Sequence, residues 1–437
     1  MKARIFTPCL AILSGLILFS GCLKDECDRV HEYVKYVPVY MTAEGMRVSV
    51  TAQGSQELRA PGNLYYYNDY LLINERLKGV HVIDNHDPAN PVNVGFIEIP
   101  GNRDIAVQNN TLYADMFIDL VAIDITDVRN PVLECRVDNV FEHFYHFAGE
   151  LGYVIEYVPT NEVEHIDCSD ERWGTWWWKG PGDVLWLQSS GFEDRVQYDA
   201  GLFNGAQSSG NGNSSTTGVG GSMARFTLAK NHLYTLDITD LHVFDLSASC
   251  PDQKNSVEMR WGIETLFPYG DYLFVGSNNG MLIYDNSNPS SPSFVAEFSH
   301  AQTCDPVFVS NNVAYVTLRD GTPCQNFINQ LDVIDVSVIN NPKLIKSYSM
   351  KHPHGLSVTD NTLYLCEGEY GLKVFDATDN KSISDHLLSR IEGINAFDII
   401  VLPQTNVAMV IGQDGLYQYD VSDKENPREL SIVPISR

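Results

Sequence analysis

Basic residues are scarce in this chain of 437: 29 Lys and Arg stand against 56 Asp and Glu, for a formal charge of −27. No Lys/Arg-rich run interrupts the acidity. The basic footprint needed to neutralise phosphate is missing, which excludes nucleic-acid binding; an acidic surface of this kind mainly confers solubility and self-repulsion. Long apolar runs are missing as well. The stretch from Cys9 to Phe19 is too short to span a bilayer, which takes about 20 residues. No segment sustains a 3.6-residue periodicity, so a helical solenoid is excluded. Motifs that carry chemistry are absent too: there is no nucleophile elbow, H-E-x-x-H, phosphate loop or CxxC pair. No catalytic residue, cofactor or metal is therefore assigned from the sequence.

What is present begins at the N-terminus, MKARIFTPCLAILSGLILFSGC. Lys2 and Arg4 precede the apolar run, and Ser20 and Gly21 stand directly before Cys22, the order of a signal peptide and its cleavage site. The pattern resembles the bacterial lipobox. That resemblance implies cleavage after residue 21, acylation of Cys22 and stable anchoring by several acyl chains. The following Leu23-Lys24-Asp25-Glu26 resembles the surface-export signal of some Gram-negative lipoproteins. The expected location is the outer membrane at the cell surface, with a periplasm-facing protein as the alternative.

From residue 62 onward one pattern recurs. GVHVIDNHDPANP (79–91), LVAIDITDVRNP (120–131), MLIYDNSNPSSP (281–292), LDVIDVSVINNP (331–342) and LYQYDVSDKENP (416–427) share a strand, an aspartate and an Asn/Pro turn. Related copies place aspartates at Asp167, Asp245 and Asp376. Most steps between these aspartates run 40 to 50 residues, and only the step from Asp167 to Asp245 is much longer. Each unit reads as four short strands of β-branched and aromatic residues separated by Asn, Gly, Asp and Pro. Radial repetition of such units is a β-propeller. The units resemble the LVIVD repeat, which implies an exported propeller with no established general activity. The expected fold is all-β, a propeller of about eight four-stranded blades over residues 62–437, with a seven-bladed ring as the alternative. Residues 1–21 form the signal peptide and 22–61 a tether. Each repeat aspartate is positioned to accept bonds from turn amides. Residues 33–50 either add a strand to a terminal blade or bridge to the lipid.

The long step holds an insertion, about residues 169–223. Its first part carries Trp173, Trp176, Trp177, Trp178 and Trp186, five of the six tryptophans. These form a candidate aromatic patch for a protein or glycan, or else bury one another. Its second part, GAQSSGNGNSSTTGVGG (205–221), has too little apolar surface to order itself. Propellers often place sites where first strands begin, beside the axis. Polar residues there are Arg103, Asp104, His143, His146, Arg225, Glu264, Asp305, His354 and Asp398, a candidate rim for a polar ligand or cation, or a solvated ring.

Seven cysteines besides Cys22 remain after cleavage, and an oxidising compartment favours pairing. Cys304 opens a first strand, and Cys324 lies in a loop at the same end after the chain has turned at Asn311-Asn312; they form the candidate disulfide. Cys366, in a second strand, reads as a buried free thiol. The sequence thus points to a non-catalytic binding or scaffold lipoprotein. Its expected partners are the membrane, through its lipid, and another envelope protein or a surface glycan. Glycan or small-ligand binding is the alternative, and a hydrolase or lyase at the channel a more distant one.

Overall fold

The structure, a computed structural model, describes residues 30–167, 170–173, 175, 177–188, 218–259, 262–277, 280–299, 306–319 and 328–436. The chain divides into two compact units, one from Val39–Glu156 and Val196–Arg437, the other from Met1–Pro38 and Tyr157–Arg195. Among the described residues no helix is long and apolar enough to cross a membrane.

Among the described residues the larger unit is a ring of seven antiparallel blades, each made of four consecutive strands. Blade 1 comprises Pro61–Tyr67, Tyr70–Glu75, Gly79–Asp84 and Val92–Glu98. Blade 2 comprises Ile105–Gln108, Thr111–Met116, Asp119–Asp124 and Val132–Val137. The next is blade 3, with Phe226–Ala229, His232–Leu236, Asp240–Asp245 and Asp252–Glu258. Blades 4 to 7 open with Ile263–Tyr269, Val307–Ser310, Leu356–Thr359 and Ala396–Leu402. These opening strands are the inner ones, and they touch in the order 1-2-3-4-5-6-7-1.

Of the two blade counts open in the sequence, the ring takes seven, because blade 2 abuts blade 3 directly. The repeat copy that carries Asp167 is not a blade. Its residues lie in one long strand, Tyr153–Asp167, of a separate five-stranded sheet that also holds Val30–Met41, Trp177–Lys179 and Leu185–Gln188. Tyr33–Tyr36 pair with Leu185–Gln188 there, so the N-terminal segment supplies a strand to this sheet and not to a terminal blade. A shorter piece, Thr51–Gln53, does extend blade 1 at its outer edge.

Alternation along each strand places apolar residues on both faces, because each blade is packed between two neighbours. The result is a series of apolar layers between blades. The ring closes through one of these: Leu64, Leu71, Ile73 and Ile83 of blade 1 pack with Ile400, Met409 and Leu416 of blade 7. Two buried amides, Asn85 and Gln418, bond each other reciprocally at 3.0 and 2.6 Å across the seam. Leu58 bridges Ile435, and the Ser436 amide donates to the Leu58 carbonyl. Among the described residues no strand is exchanged between blades 1 and 7; packing and these bonds make the seam.

The repeat aspartates do at each turn what a carboxylate before a turn can do. Asp84, Asp124, Asp245, Asp285, Asp335, Asp376 and Asp420 each accept the amide of the residue two positions on, at 2.7 to 3.2 Å. These bonds to the ionised form, from side chain and backbone alike, hold all seven below the usual carboxylate range.

Cys135, in the outer strand of blade 2, is disulfide-bonded to Cys250, in the turn leading to the outer strand of blade 3. The bridge spans the place where the insertion leaves the ring. Cys304 and Cys324 lie outside the described residues, as does Cys22. Cys366 is buried and free.

Candidate functional site

The axis side of the ring is occupied by the chain itself. Residues 218–225, GVGGSMAR, leave the insertion and run along the inner strands before entering blade 3. Val219 and Gly220 pair with Tyr66 and Tyr65, adding an inner strand to blade 1. The Gly218 amide donates to Val107 of blade 2 at 2.9 Å, and the Gly221 amide to Leu64 at 3.2 Å. Ser222 donates through its amide and its hydroxyl to Asp398 Oδ1 of blade 7, both at 2.9 Å, while its Oγ accepts the Leu356 amide of blade 6 at 2.7 Å. Four blades are thus tied by one axial segment. The glycines make this approach feasible: a Cβ on Gly221 would fall 1.9 Å from Asp398 Oδ2, and one on Gly218 would fall 2.2 Å from the Tyr65 ring. The end of the Gly/Ser stretch read as unable to order itself is therefore ordered. Backbone bonds and buried carboxylates do there what an apolar surface does elsewhere. Residues 205–217 lie outside the described ones.

Two rim acids are consumed in holding this segment. Asp104 is buried and accepts from Asn63 Nδ2 at 2.9 Å, from its neighbour Ile105 at 2.8 Å, and from the amides of Phe226, at 3.0 Å, and Arg225. Burial pushes the Asp104 carboxyl up to about 7, although these bonds act in the opposite direction. Burial pushes Asp398 up to about 7 as well, against its bonds from Ile399 and Ser222. The two acids bind different stretches of the axial segment, at Arg225–Phe226 and at Ser222.

The other rim residues are dispersed. The Arg225 guanidinium is buried, donates to the Asp237 carbonyl at 2.9 Å and lies 4.9 Å over the Phe144 ring; burial brings it down to about 10. Arg103 lies over Phe144 and Tyr145. His354 is buried against Arg319 and His352, and burial holds its pKa well below the usual histidine value. Glu264 is half-buried in the inner strand of blade 4. His146 is exposed in the short strand His146–Phe147. Asp305 lies outside the described residues.

His143 goes elsewhere. It sits on the short helical turn Glu142–Phe144, and its Nδ1 lies 3.0 Å from Asp237 Oδ2 and 3.5 Å from Asp240 Oδ2. Among the described residues His143, Asp237 and Asp240 are the group whose ligand atoms approach closely enough to hold a metal ion.

Residue-by-residue reading missed a recurring device behind this group. At the turn between second and third strands, a buried acid pairs with a base in the third strand. Glu75 meets His81 at 3.1 Å in blade 1, Asp237 meets His242 at 3.2 Å in blade 3, and Glu367 meets Lys373 at 2.6 Å in blade 6. Burial alone would raise Glu75 and Asp237; His81 with the Arg59 and Ala60 amides outweighs it at Glu75, His242 with the Thr239 and Asp240 turn amides outweighs it at Asp237, and both are left low. The available signal was an acid closing a second strand with His or Lys five or six residues later.

In the smaller unit two of the tryptophans cover each other. Trp178 and Trp186 are directly paired across antiparallel strands and stack at 5.7 Å and 10°. Arg172, held by Asp170 and Glu164, caps Trp178 at 4.8 Å. Tyr33 is fully buried beside Trp178, and Trp173 meets the His31 ring edge-on. Trp177 is the exposed one, at 43 %, and Trp176 lies outside the described residues.

The profile of the LVIVD repeat matches residues 267–299, the span that forms blade 4 from its inner strand to its outer one. Blade 4 carries the LVIVD repeat. Among solved structures, this propeller is similar to the periplasmic gluconolactonase PpgL of Pseudomonas aeruginosa, at 10 % identity and a TM-score of 0.52, covering 93 % of this chain and 97 % of that one. It is also similar to a functionally unknown protein from Desulfotomaculum acetoxidans, at 9 % identity and a TM-score of 0.47, covering 85 % and 95 %. The computationally designed protein Ika8 matches at 10 % identity and a TM-score of 0.49, covering 87 % and 90 %. At such identities the likeness to PpgL shows the fold alone. No curated protein matches the sequence.

Proposed function

We propose that this LVIVD-repeat propeller is an extracytoplasmic lipoprotein, anchored through Cys22, that binds another envelope protein without catalysis. The observation that carries the non-catalytic reading is the axial segment. Asp104 and Asp398, the carboxylates best placed for chemistry at the axis, are bonded to the chain's own backbone. The gluconolactonase neighbour is named for an enzymatic activity, but a channel reaction here would have to displace residues 218–225 from four blades. The Cys135–Cys250 bridge suits an oxidising compartment, which supports export. Glycan binding is a second reading, favoured by the exposed Trp177 ring.

Crosslinking and affinity capture from intact cells tests the proposal, using the lipidated protein beside a soluble form beginning at Asp25. A specific protein recovered with both forms supports the interaction role. Recovery of none, together with retention on a glycan array that Trp177→Ala abolishes, would replace it. Cys22→Ser should move the protein from the membrane fraction to the soluble one; unchanged fractionation would refute the lipid anchor.

A further inference from the structure

We propose that His143, Asp237 and Asp240 form a binding site for a divalent transition-metal cation, with zinc(II) as the ion to test. The site is independent of where the protein resides or what it docks against.

Its geometry comes from two parts of the chain far apart in sequence. The turn Asp237-Ile238-Thr239-Asp240 brings two carboxylates together where the second strand of blade 3 meets the third. Asp237 Oδ1 is fully engaged by the amides of Thr239, at 2.8 Å, and Asp240, at 2.7 Å, which orients Oδ2 outward. The imidazole arrives on the connection that leaves blade 2. Phe141, two residues before it, is fully buried, stacks on Phe226 of blade 3 at 5.6 Å and meets the His242 ring edge-on at 6.0 Å. This anchor sets His143 over the turn. Nδ1, Asp237 Oδ2 and Asp240 Oδ2 then lie within 4.8 Å of one another, with edges of 3.0 and 3.5 Å from Nδ1. Atoms bound at about 2.0–2.2 Å to a tetrahedral ion stand about 3.3 Å apart, so little movement is needed to admit one.

A second set of residues supports the ligands. His242 Nε2 lies 3.2 Å from Asp237 Oδ2, and its Nδ1 faces the Ser256 hydroxyl at 3.2 Å. The carboxylate oxygen can only accept, so His242 donates from Nε2 to Asp237 Oδ2, the outer support that metal-binding carboxylates ordinarily have. In blades 1 and 6 the acid meets its third-strand base, Glu75–His81 and Glu367–Lys373, and one further cation, Lys78 or Arg390, each at 3.8 Å, in place of an imidazole from another blade. The turn therefore does not require His143 or Asp240 for its own satisfaction. The His143 side chain is 60 % exposed, so the site is open to solvent on one side and keeps positions for water or an exogenous ligand. One imidazole and two carboxylates suit zinc, manganese or iron(II) better than calcium or magnesium, which favour all-oxygen shells. The Arg225 guanidinium bonded to the Asp237 carbonyl is the opposing charge nearby, and it weakens the site without occupying its ligand atoms.

The test uses the full chain in detergent, stripped with a chelator and dialysed against zinc chloride, with bound metal counted by mass spectrometry. One zinc per chain is expected, with binding at least about 10-fold weaker in His143→Ala and in Asp240→Asn. Asp237→Asn is avoided because it also removes the turn's amide acceptor. His146→Ala, three residues away and exposed, should bind as the parent does. Cobalt(II) in place of zinc should give visible d–d absorption that His143→Ala abolishes. Absence of stoichiometric zinc, or binding that survives His143→Ala in a variant with the parent's circular dichroism, overturns the proposal.

Discussion

Gly221→Ala tests the axial segment most directly. A Cβ at this position would lie 1.9 Å from Asp398 Oδ2 and 2.6 Å from its Cγ, so something must move by more than 1 Å. Asp398 cannot yield easily: it is buried, holds Ser222 through two bonds, and its other oxygen already lies 2.1 Å from where a Cβ on Gly355 would stand. Overpacking of this kind costs about 1–3 kcal/mol. If the segment lifts away instead, Ser222 loses bonds worth about 1 kcal/mol each and a buried acceptor is left short. Between them the two routes give a destabilisation of roughly 1–4 kcal/mol, which at about 2.1 cal/mol/K per residue over the larger unit lowers Tm by about 1–5 °C. Gly54→Ala is the matched control, since its Cβ would meet nothing within 4 Å, and it should stay within about 0.5 kcal/mol of the parent. Thermal unfolding followed by circular dichroism measures both. If Gly221→Ala unfolds where Gly54→Ala does, residues 218–225 are not packed against the inner strands as described, and the argument from the occupied axis fails with them.

Stability should peak in mildly acidic solution. Asp104 and Asp398, near 7 in the fold, keep protons that the unfolded chain releases near pH 4, so stability falls as pH rises from about 4 to 7. The seven turn aspartates are held low, and their contribution is lost as pH drops below about 4. A Tm measured across this range should show both limbs, and Asp398→Asn should flatten the upper one; an unchanged upper limb would rule out Asp398 as its source. Breaking the Cys135–Cys250 bridge, which joins residues 115 apart in sequence, should cost about 2–5 kcal/mol. A Tm insensitive to Cys250→Ser would show that the bridge does not constrain the ring. Cys366 is buried, and burial pushes its thiol well above the usual range. It should resist alkylation in the native protein and react only on unfolding, as peptide mapping would report; native labelling would contradict the packing of blade 6.

The repeat was legible because every blade obeys the same local rules. The third strand, the aspartate that accepts a turn amide, and the Asn/Pro turn lie within a dozen residues, so their pattern survives in one sequence without knowledge of neighbours. The acid–base pairs at the opposite turns were less visible. Glu75–His81, Asp237–His242 and Glu367–Lys373 differ in residue type and share only a spacing. The rim was legible as a set of polar positions but not as an arrangement. Asp104 and Asp398 do begin inner strands; that each binds the 218–225 segment depends on a chain separated from them by more than 100 residues.

The sequence by itself determined the all-β class, the four-stranded unit, the turn aspartates and the presence of an insertion, because each follows from contacts local to about 40 residues. The tertiary structure alone decided the number of blades in the ring, since blade 2 meets blade 3 across 88 intervening residues and the Asp167 copy joins another sheet. It also decided the Cys135–Cys250 pairing, the threading of Gly218–Arg225 along the axis and the approach of His143 to Asp237 and Asp240. These depend on which inner strands converge and on what a long excursion brings back with it. Strand periodicity and turn chemistry contain no information about either.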